Sequence, residues 1–264
     1  MKRLLLHLSF FVFVLFGSAR AYAYNNTYAV IVAVADYKYS TAINGDLKYT
    51  ISDAEKFYSF LKSSAGGTTP SSNIAYLTNS NATRSNIITK AKNLFAKAKA
   101  DDRVIFYFSG HGDRNCILPY DVDMFGTNLL WFSEIQAIFR CANCNTKLLI
   151  ADACHSGSMK EMIKRQTGGR HSSSSTTKPQ IAVMMSCSAN EYSIEAPELG
   201  QGVFSYYLIN GLKGKADNDK NGKITIQELF YYVYNKTSQY GPKRQHPILF
   251  GNFDLRLIVG RVYK

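Results

Sequence analysis

Short apolar runs alternate with amphipathic segments along most of this chain, and this alternation limits the fold more than any other feature. The apolar runs are typical of buried strands, whereas the intervening segments repeat their apolar residues at helical spacing. The pattern predicts an α/β domain with a mostly parallel sheet and helices on both faces. We expect strands at 28–37, 72–78, 102–112, 146–154 and 181–188, helices at 51–63 (with Ser52 as N-cap), 83–99, 132–140, 202–212 and 226–236, and strand-like sequence at 246–259.

The first 23 residues differ from the rest of the chain. Lys2 and Arg3 precede an apolar run at 4–16, and the run is followed by Ala-Tyr-Ala at 21–23. This pattern predicts a secretory signal peptide at 1–23, a mature domain at 24–264, and a secreted or periplasmic location. An uncleaved anchor is the alternative, although the run is short for a membrane span. We expect no stable membrane span after cleavage.

The segment 158–180 lacks an apolar period, contains four consecutive serines and carries several basic residues. Such a composition predicts a flexible linker or exposed loop within the mature domain. The whole chain has a formal net charge of +12. A basic balance suits nucleic acid, but Lys90, Lys92, Lys97 and Lys99 form the solvated face of a predicted helix. Because no basic cluster is interleaved with aromatic residues, we set nucleic-acid binding aside.

Two predicted strands end in polar sequence that contains chemically reactive residues. One strand leads to His111 and the other leads to Cys154, and each residue is followed by a glycine within three positions. The carboxyl ends of parallel strands meet at one edge of a sheet, where ligands bind, and an imidazole beside a thiol promotes formation of the nucleophilic thiolate. Each residue alone is also typical of ordinary core packing or hydrogen bonding. His155 is the alternative partner of Cys154, but adjacent side chains diverge on extended chain.

These motifs, SGHG at 109–112 and DACHSG at 152–157, resemble those of the caspase-like cysteine peptidases (the caspase/hemoglobinase fold), and within them the metacaspase-like branch. The segments LKYTISDAEKFYSFL and GQGVFSYYLINGLKGKAD also resemble helical segments of that family. The resemblance implies a three-layer domain with a central sheet of about six strands, a typical sheet size. It further implies that Cys154 attacks the scissile carbonyl and His111 protonates the leaving amine. The backbone N–H groups of Gly112 and Cys154 would then hold the oxyanion.

The same resemblance implies a substrate preference. Metacaspase-like members cleave after Arg or Lys by means of acidic residues, and Asp53 and Asp152 match that pocket, with Ser109 beside it. Two desolvated carboxylates bind a guanidinium strongly because the contacts are bidentate and charge-assisted. The simpler alternative for Asp53 is an acidic residue that the helix dipole favours in the first turn.

The segment DNDKNGKITIQE at 217–228 fits the twelve-residue EF-hand loop, which binds Ca²⁺. The glycine required at the sixth position is present. EF-hands usually occur in pairs and this one stands alone, so a polar turn leading into a helix is the alternative. We expect no organic cofactor. The expected metal ligands are Asp217, Asp219, Asn221, Lys223 through its carbonyl, and Glu228.

The five cysteines, at positions 116, 141, 144, 154 and 187, leave one unpaired in an exported protein, and Cys154 fits this role. The other four are candidates for disulfides. The leading hypothesis is therefore an exported cysteine endopeptidase that acts on proteins or peptides and uses a Cys-His dyad. One alternative is a catalytically silent Ca²⁺-binding or interaction module on the same fold. Another is a thiol-dependent hydrolase of non-peptide amides or esters.

Overall fold

A computed structural model of the protein describes residues 24–40, 45–153, 180–188, 190–241 and 244–262. The predicted signal peptide, Cys154 and His155 lie outside the described residues, as does the predicted linker except Gln180, which begins a strand. Within the described ranges, no helix is both long and apolar enough to span a membrane.

The fold is built on a six-stranded sheet. Five of its strands run parallel and the sixth, at one edge, runs antiparallel to its neighbour, as predicted from the alternating pattern. The order across the sheet is β12-β8-β7-β3-β1-β2. These strands are β1 (Thr27–Ala33), β2 (Ile74–Thr78), β3 (Arg103–Ser109), β7 (Thr146–Asp152), β8 (Gln180–Met185) and β12 (Ile248–Asn252).

Helices cover both faces of the sheet, so the domain has three layers as expected. The helices are α1 (Thr50–Lys62), α2 (Arg84–Phe95), α3 (Phe132–Arg140), α4 (Val203–Asn210) and α5 (Ile226–Ser238). Helices α2 and α3 pack on one face, where Phe95 stacks on Phe139 at a centroid distance of 5.8 Å. Helices α1, α4 and α5 pack on the other, where Phe57 stacks on Tyr107 at 4.4 Å.

The division of the core follows from the two-residue period of the strands. Val30 and Val32 of β1 face α2 and α3, whereas Ala29 and Ile31 face α1. The central strands are therefore buried on both sides and read as continuous apolar runs. Burial of each large apolar side chain contributes about 1.5–3 kcal/mol, which makes this sheet a rigid support for groups at its edges.

The start of α1 differs from the prediction. Ser52 lies inside the helix, whose N-cap position is Tyr49, and no side chain caps it. The chain entering the helix is instead held by Glu195, whose carboxylate accepts hydrogen bonds from the backbone N–H groups of Lys48 and Tyr49, at 2.9 and 2.7 Å. Because Glu195 is 146 positions away from Tyr49, local capping rules could not identify this start.

Seven further strands of the described chain have only two to four residues, too few to show a two-residue period, and the sequence indicated only the last of them, whose first two residues end the strand-like segment 246–259. They are β4 (Gly112–Asp113), β5 (Cys116–Ile117), β6 (Leu130–Trp131), β9 (Glu195–Ala196), β10 (Gln201–Gly202), β11 (Lys223–Thr225) and β13 (Ile258–Arg261). Strands β4 to β6 form one small antiparallel sheet, β9 pairs with β10, and β11 pairs with β13. A π-helical turn, Gly211–Lys215, extends α4.

The cysteines show fewer bridges than an exported chain led us to expect. Cys116, Cys141 and Cys144 each carry a free thiol, so no disulfide joins any two of these three. Cys116 and Cys144 are buried in the core and behave as small apolar residues there.

Candidate active site

The two reactive segments follow neighbouring strands that end level with each other. Ser109 of β3 pairs with Asp152 of β7, and the N–H of Gly110 donates to the Asp152 carbonyl at 3.1 Å. His111 lies two positions beyond the first of these residues, and Cys154 lies two positions beyond the second. The described chain stops at Ala153, so the structure shows the edge to which Cys154 is attached but not its side chain.

His111 is partly buried, and its ring is held in a defined state. Its Nε2 atom lies 2.9 Å from the carbonyl oxygen of Gly45. Because a carbonyl can only accept, this contact places the proton of a neutral imidazole on Nε2 and leaves Nδ1 as the basic nitrogen. The His111 backbone N–H donates to the Tyr37 hydroxyl at 2.7 Å, and the two rings lie 5.1 Å apart. These contacts fix the orientation of the ring.

The turn that presents His111 depends on close packing around Gly110. A Cβ at this position would lie 2.7 Å from Cζ of Phe108 and 2.9 Å from the Tyr37 hydroxyl oxygen. Any larger residue would therefore displace Tyr37, which anchors the His111 backbone. Gly45 has a φ of +84°, a conformation that glycine adopts without strain. These two glycines fix the position of the imidazole relative to the sheet edge.

Ala153, the residue before Cys154, is hydrogen-bonded through both its N–H and its carbonyl to Ser186, which directly follows β8. The Ser186 hydroxyl accepts a hydrogen bond from the Ala153 N–H at 3.0 Å and donates to the Ala153 carbonyl at 3.2 Å. The hydroxyl of Ser193 is in turn hydrogen-bonded to that of Ser186. The Ser186 N–H also donates to the Ala151 carbonyl at 2.9 Å, which continues the ladder between the two strands. The backbone that leads to Cys154 is therefore fixed.

Asp53 is buried next to the same edge, with only 2% of its surface exposed. Its carboxylate accepts hydrogen bonds from the Ser109 hydroxyl at 3.1 Å, the Gly202 N–H at 3.0 Å and the Gln201 side-chain amide at 3.4 Å. Its location in the first turn of α1 agrees with the simpler dipole interpretation. The dipole does not explain why the carboxylate is buried against residues of β3 and β10.

Asp152 is buried beside Asp53 and is held by α4. The hydroxyl and the N–H of Ser205 donate to one oxygen of Asp152 at 2.8 and 3.2 Å. Since the Ser205 hydroxyl donates to this carboxylate, the hydroxyl of Tyr107, 2.7 Å away, donates to Ser205. These successive hydrogen bonds, from Tyr107 to Ser205 and from Ser205 to Asp152, fix the orientation of the Asp152 carboxylate.

Gly202 shows how closely the two carboxylates approach each other. A Cβ at this position would lie 2.7 Å from an oxygen of Asp152 and 3.0 Å from an oxygen of Asp53. Burial raises the pKa of Asp53 well above its ordinary value, and the neighbouring charge of Asp152 raises it further. Burial likewise raises the pKa of Asp152. Because one oxygen of each carboxylate lies within 3.0 Å of the same point, the two desolvated groups do not readily ionise at the same time.

No cation offsets this pair within the described part of the chain. The ion pairs found there involve Glu134, Glu191 and Asp254, and none reaches Asp53 or Asp152. A buried carboxylate pair with donors on one side and no cation is suited to bind a positively charged ligand. The sequence-based prediction that Asp53, Ser109 and Asp152 lie together agrees with this geometry.

Gly112, the predicted oxyanion donor, begins β4 directly after His111 and is partly exposed. Its predicted partner, the N–H of Cys154, lies outside the described residues. Sequence reasoning did not find Gly45, Tyr37, Ser186, Gln201 or Ser205. Ser205 and Gln201 flank the start of α4, a segment already singled out, but only the fold shows that this helix begins against the carboxylates.

The loop 217–228 places three acidic side chains together. One carboxylate oxygen from each of Asp217, Asp219 and Glu228 lies within 4.8 Å of the others. The side chain of Asn221 is not oriented to bind a metal ion, because its Oδ1 atom accepts a hydrogen bond from the Lys223 N–H at 2.8 Å. Strand β11 inside this loop pairs with β13 of the same domain. The residues present fit Ca²⁺, which prefers several oxygen ligands at 2.3–2.6 Å.

Comparison with known proteins supports the same class of fold. A family model described as a caspase domain matches residues 26–255. Metacaspase-8 of Arabidopsis thaliana is 29% identical over 105 residues, which cover 34% of this chain and 26% of that relative. The match thus spans about a quarter of the relative's length. A crystal structure of a protein from Geobacter sulfurreducens has a TM-score of 0.62 at 15% identity, covering 90% of this chain and 100% of that one, and shows the shared fold.

The fold is an α/β domain with a central, mostly parallel sheet, and the strands that precede His111 and Cys154 in the sequence end at the same side of that sheet. The chain belongs to the caspase-domain family of peptidases. Membership of this family supports a cysteine-type peptidase that acts on protein substrates.

Proposed function

We propose that the protein is an exported cysteine endopeptidase that uses His111 and Cys154 and cleaves after Arg or Lys. The observation that carries the proposal is the buried pair Asp53 and Asp152, which has no ion-pair partner among the described residues and lies at the sheet edge that also bears His111. The export signal at 1–23 supports a location outside the cytoplasm, where the chain would meet its substrates.

The chemistry follows from the state of His111. Nδ1 of the imidazole takes the proton of the Cys154 thiol, and the thiolate attacks the carbonyl carbon of the scissile peptide. The N–H groups of Gly112 and Cys154 stabilise the oxyanion of the tetrahedral intermediate. The imidazolium then donates its proton to the leaving nitrogen as the C–N bond breaks. Finally, water deprotonated by His111 hydrolyses the thioester, releasing the acid and restoring the thiol.

Hydrogen bonding to Gly45 contributes to each step. The Nε2–H bond to the carbonyl holds the ring orientation and stabilises the imidazolium once Nδ1 is protonated. The Tyr37 hydroxyl holds the backbone on the other side. Together they keep the imidazole at one position through successive proton transfers, which lowers the entropic part of the barrier.

Specificity for a basic residue arises from desolvated charge. A guanidinium or ammonium group that enters beside Asp53 and Asp152 favours the ionised form of both carboxylates, so a proton retained by the empty pair is released on binding. Ser109, Gln201 and Ser205 already donate to the carboxylates and keep them oriented before substrate arrives. An acidic side chain at the same place would be repelled.

The proposal is tested by cleavage of a peptide series that differs only in the residue before the scissile bond. We expect rapid cleavage after Arg and Lys, negligible cleavage after Asp, and none in Cys154→Ala. Cleavage of esters or non-peptide amides without cleavage of any peptide would favour the thiol-dependent hydrolase instead.

Thiol labelling distinguishes the cysteine peptidase from a catalytically silent binding module on the same fold. In an enzyme, Cys154 should react with iodoacetamide faster than the exposed Cys141 of the same chain, and His111→Ala should slow Cys154 alone. Equal rates at both cysteines, unchanged by His111→Ala, would contradict the enzyme.

We further propose that the loop 217–228 binds Ca²⁺ through Asp217, Asp219, Asn221, the Lys223 carbonyl and Glu228. The convergence of three carboxylates and the support of β13 favour this proposal over a simple polar turn. The Asn221 side chain must turn from the Lys223 N–H toward the ion. The ion would fix the start of α5 relative to β13 and so contribute to stability.

A further inference from the structure

Strand β3 begins with a buried cation at the edge opposite the candidate active site. Arg103 is only 6% exposed. Its Nε and Nη2 donate to the hydroxyl of Thr27 at 3.2 and 3.0 Å, Nη1 donates to the Val259 carbonyl at 2.9 Å, and the guanidinium lies 4.7 Å from the centre of the Tyr24 ring. A guanidinium has five N–H groups, so these contacts leave one donor on each terminal nitrogen.

No carboxylate balances this charge within the described ranges. The ion pairs found there do not include Arg103. The adjacent Asp102 accepts from the backbone and side-chain nitrogens of Asn26, at 2.9 and 3.0 Å, and from the Lys99 N–H at 2.8 Å. Its oxygens are thus occupied away from the guanidinium. Burial lowers the pKa of Arg103, the direction expected for a desolvated cation.

Lys147 provides an internal contrast. It is 5% exposed and also lies at the start of a central strand. Its ammonium group donates to two backbone carbonyls, those of Phe139 and Ala142, at 2.6 and 2.9 Å. Arg103, by comparison, borders an open cavity of about 110 Å³.

The cavity beside Arg103 carries a second polar group without a partner. The hydroxyl oxygen of Thr69 is buried and has no hydrogen-bond partner among the described residues, and the side chain is 2% exposed. Thr27, Arg261, Gly66 and Gly67 also line the cavity. Its volume exceeds the roughly 10–15 Å³ that one water needs on the same measure.

We propose that this cavity binds a small oxyanion, a phosphate or a carboxylate group, through the guanidinium of Arg103 and the hydroxyl of Thr69. A planar guanidinium with one spare donor on each terminal nitrogen matches two oxygens of such a group. The anion supplies the negative charge that the described residues do not provide, and it satisfies the buried hydroxyl of Thr69. This site is separate from the carboxylate pair at the other end of β3, and its occupancy does not depend on peptidase activity.

Thermal unfolding of the Cys154→Ala protein in EDTA, titrated with sodium phosphate or sodium acetate against sodium chloride of equal ionic strength, tests the site. We expect a saturable rise in Tm of roughly 2–4 °C with at least one oxyanion, and the better anion identifies the ligand group. Arg103→Met should abolish the rise and Thr69→Val should raise the apparent Kd about tenfold, the cost of about one hydrogen bond to a charged group.

Lys147→Met is the matched control, because it removes an equally buried cation whose donors are already satisfied. It should change the starting Tm but keep the anion-dependent rise. If Arg103→Met does not fold, the titration of the parent protein and of Thr69→Val still decides the question. No saturable rise with either anion in the parent protein, or the same rise in Arg103→Met, would overturn the proposal.

Discussion

Strand β3 has carboxylates at one end and a guanidinium at the other, and neither has an ion-pair partner in the part of the chain that the structure describes. At its carboxyl end, Ser109 donates to Asp53, which lies beside Asp152. At its amino end, Arg103 is buried. The two ends are separated by apolar residues that face the cores on both sides of the sheet. At each end, the buried charged group must therefore be stabilised by neighbouring hydrogen bonds or by a bound ligand of opposite charge.

Lys147 shows that burial of a charge does not by itself indicate a site. Its ammonium group is hydrogen-bonded to two carbonyls that end α3 and the following turn, which suits a structural role. A buried charge is costly unless it is paired or fully hydrogen-bonded. The informative feature at both ends of β3 is therefore the combination of burial, spare hydrogen-bonding capacity and adjacent space. Substitutions that affect one end of β3 and not the other test this comparison.

Loss of the reactive side chains should have the largest effect and should be confined to the carboxyl end. Cys154→Ala and His111→Ala should each lower kcat/KM by about 10⁴-fold or more, because both residues take part in bond formation. The oxyanion response at Arg103 should not change. Cys141→Ala, which removes an exposed thiol, is the control and should keep full activity. Residual peptide cleavage by Cys154→Ala would refute the assignment of the nucleophile.

Neutralising the carboxylate pair should come next in size. Asp152→Asn or Asp53→Asn should lower kcat/KM for Arg peptides by roughly 30- to 1,000-fold, since one half of a buried charge pair is worth about 2–4 kcal/mol. The matched control is Asp102→Asn, a buried carboxylate at the amino end of the same strand. It should affect stability without changing the preference for Arg. Equal losses in all three variants would show a general structural effect.

The same carboxylates should make stability depend on pH. The pKa values of Asp53 and Asp152 are raised in the folded protein, so protonation stabilises the fold. This contribution is complete below the ordinary aspartate pKa of 3.8 and is lost as pH rises through the raised values. Relative to Asp53→Asn, the wild type should therefore lose free energy of unfolding as pH rises above about 4. Urea titrations across this range measure the difference, and parallel curves would contradict it.

Calcium should produce the smallest effect, because the loop lies outside both ends of β3. The Tm of the wild type should rise with millimolar Ca²⁺, whereas Glu228→Gln should not respond. Glu228 also caps α5 through Thr225, so the control is Glu134→Gln, which alters the corresponding capping residue of α3. That variant should keep the Ca²⁺ response. An equal response in Glu228→Gln would show that Ca²⁺ acts elsewhere.

The parts of the fold that the sequence predicted are those with a strong local pattern. Helix α3 has the predicted bounds, and the central strands lie within the predicted runs because they are buried on both faces. Helix α2 ends earlier than predicted, at Phe95, where Asp102 binds the Lys99 N–H and turns the chain into β3. Such a contact between a side chain and the backbone leaves no periodic signal.

The candidate site likewise contains some residues that the sequence indicated and others that it did not. The motifs indicated His111, Asp152 and the edge where they meet, because strand ends are visible in the sequence. Ser186 and Gly45 were not predicted, since an isolated serine or glycine acquires its role only when distant segments meet. In the sequence, Arg103 reads as part of a strand, and only the structure shows that it is buried without an ion-pair partner among the described residues.

The central claim, that buried carboxylates select a positive charge in the substrate, is tested most directly by two matched peptides. One carries Arg before the scissile bond and the other carries citrulline, which has nearly the same shape and no charge. We expect the wild type to prefer Arg by at least about 100-fold in kcat/KM, corresponding to about 2.7 kcal/mol, and this ratio to collapse in the variant with both Asp53→Asn and Asp152→Asn. Equal cleavage of the two peptides by the wild type, or a ratio that survives in that variant, would contradict the account.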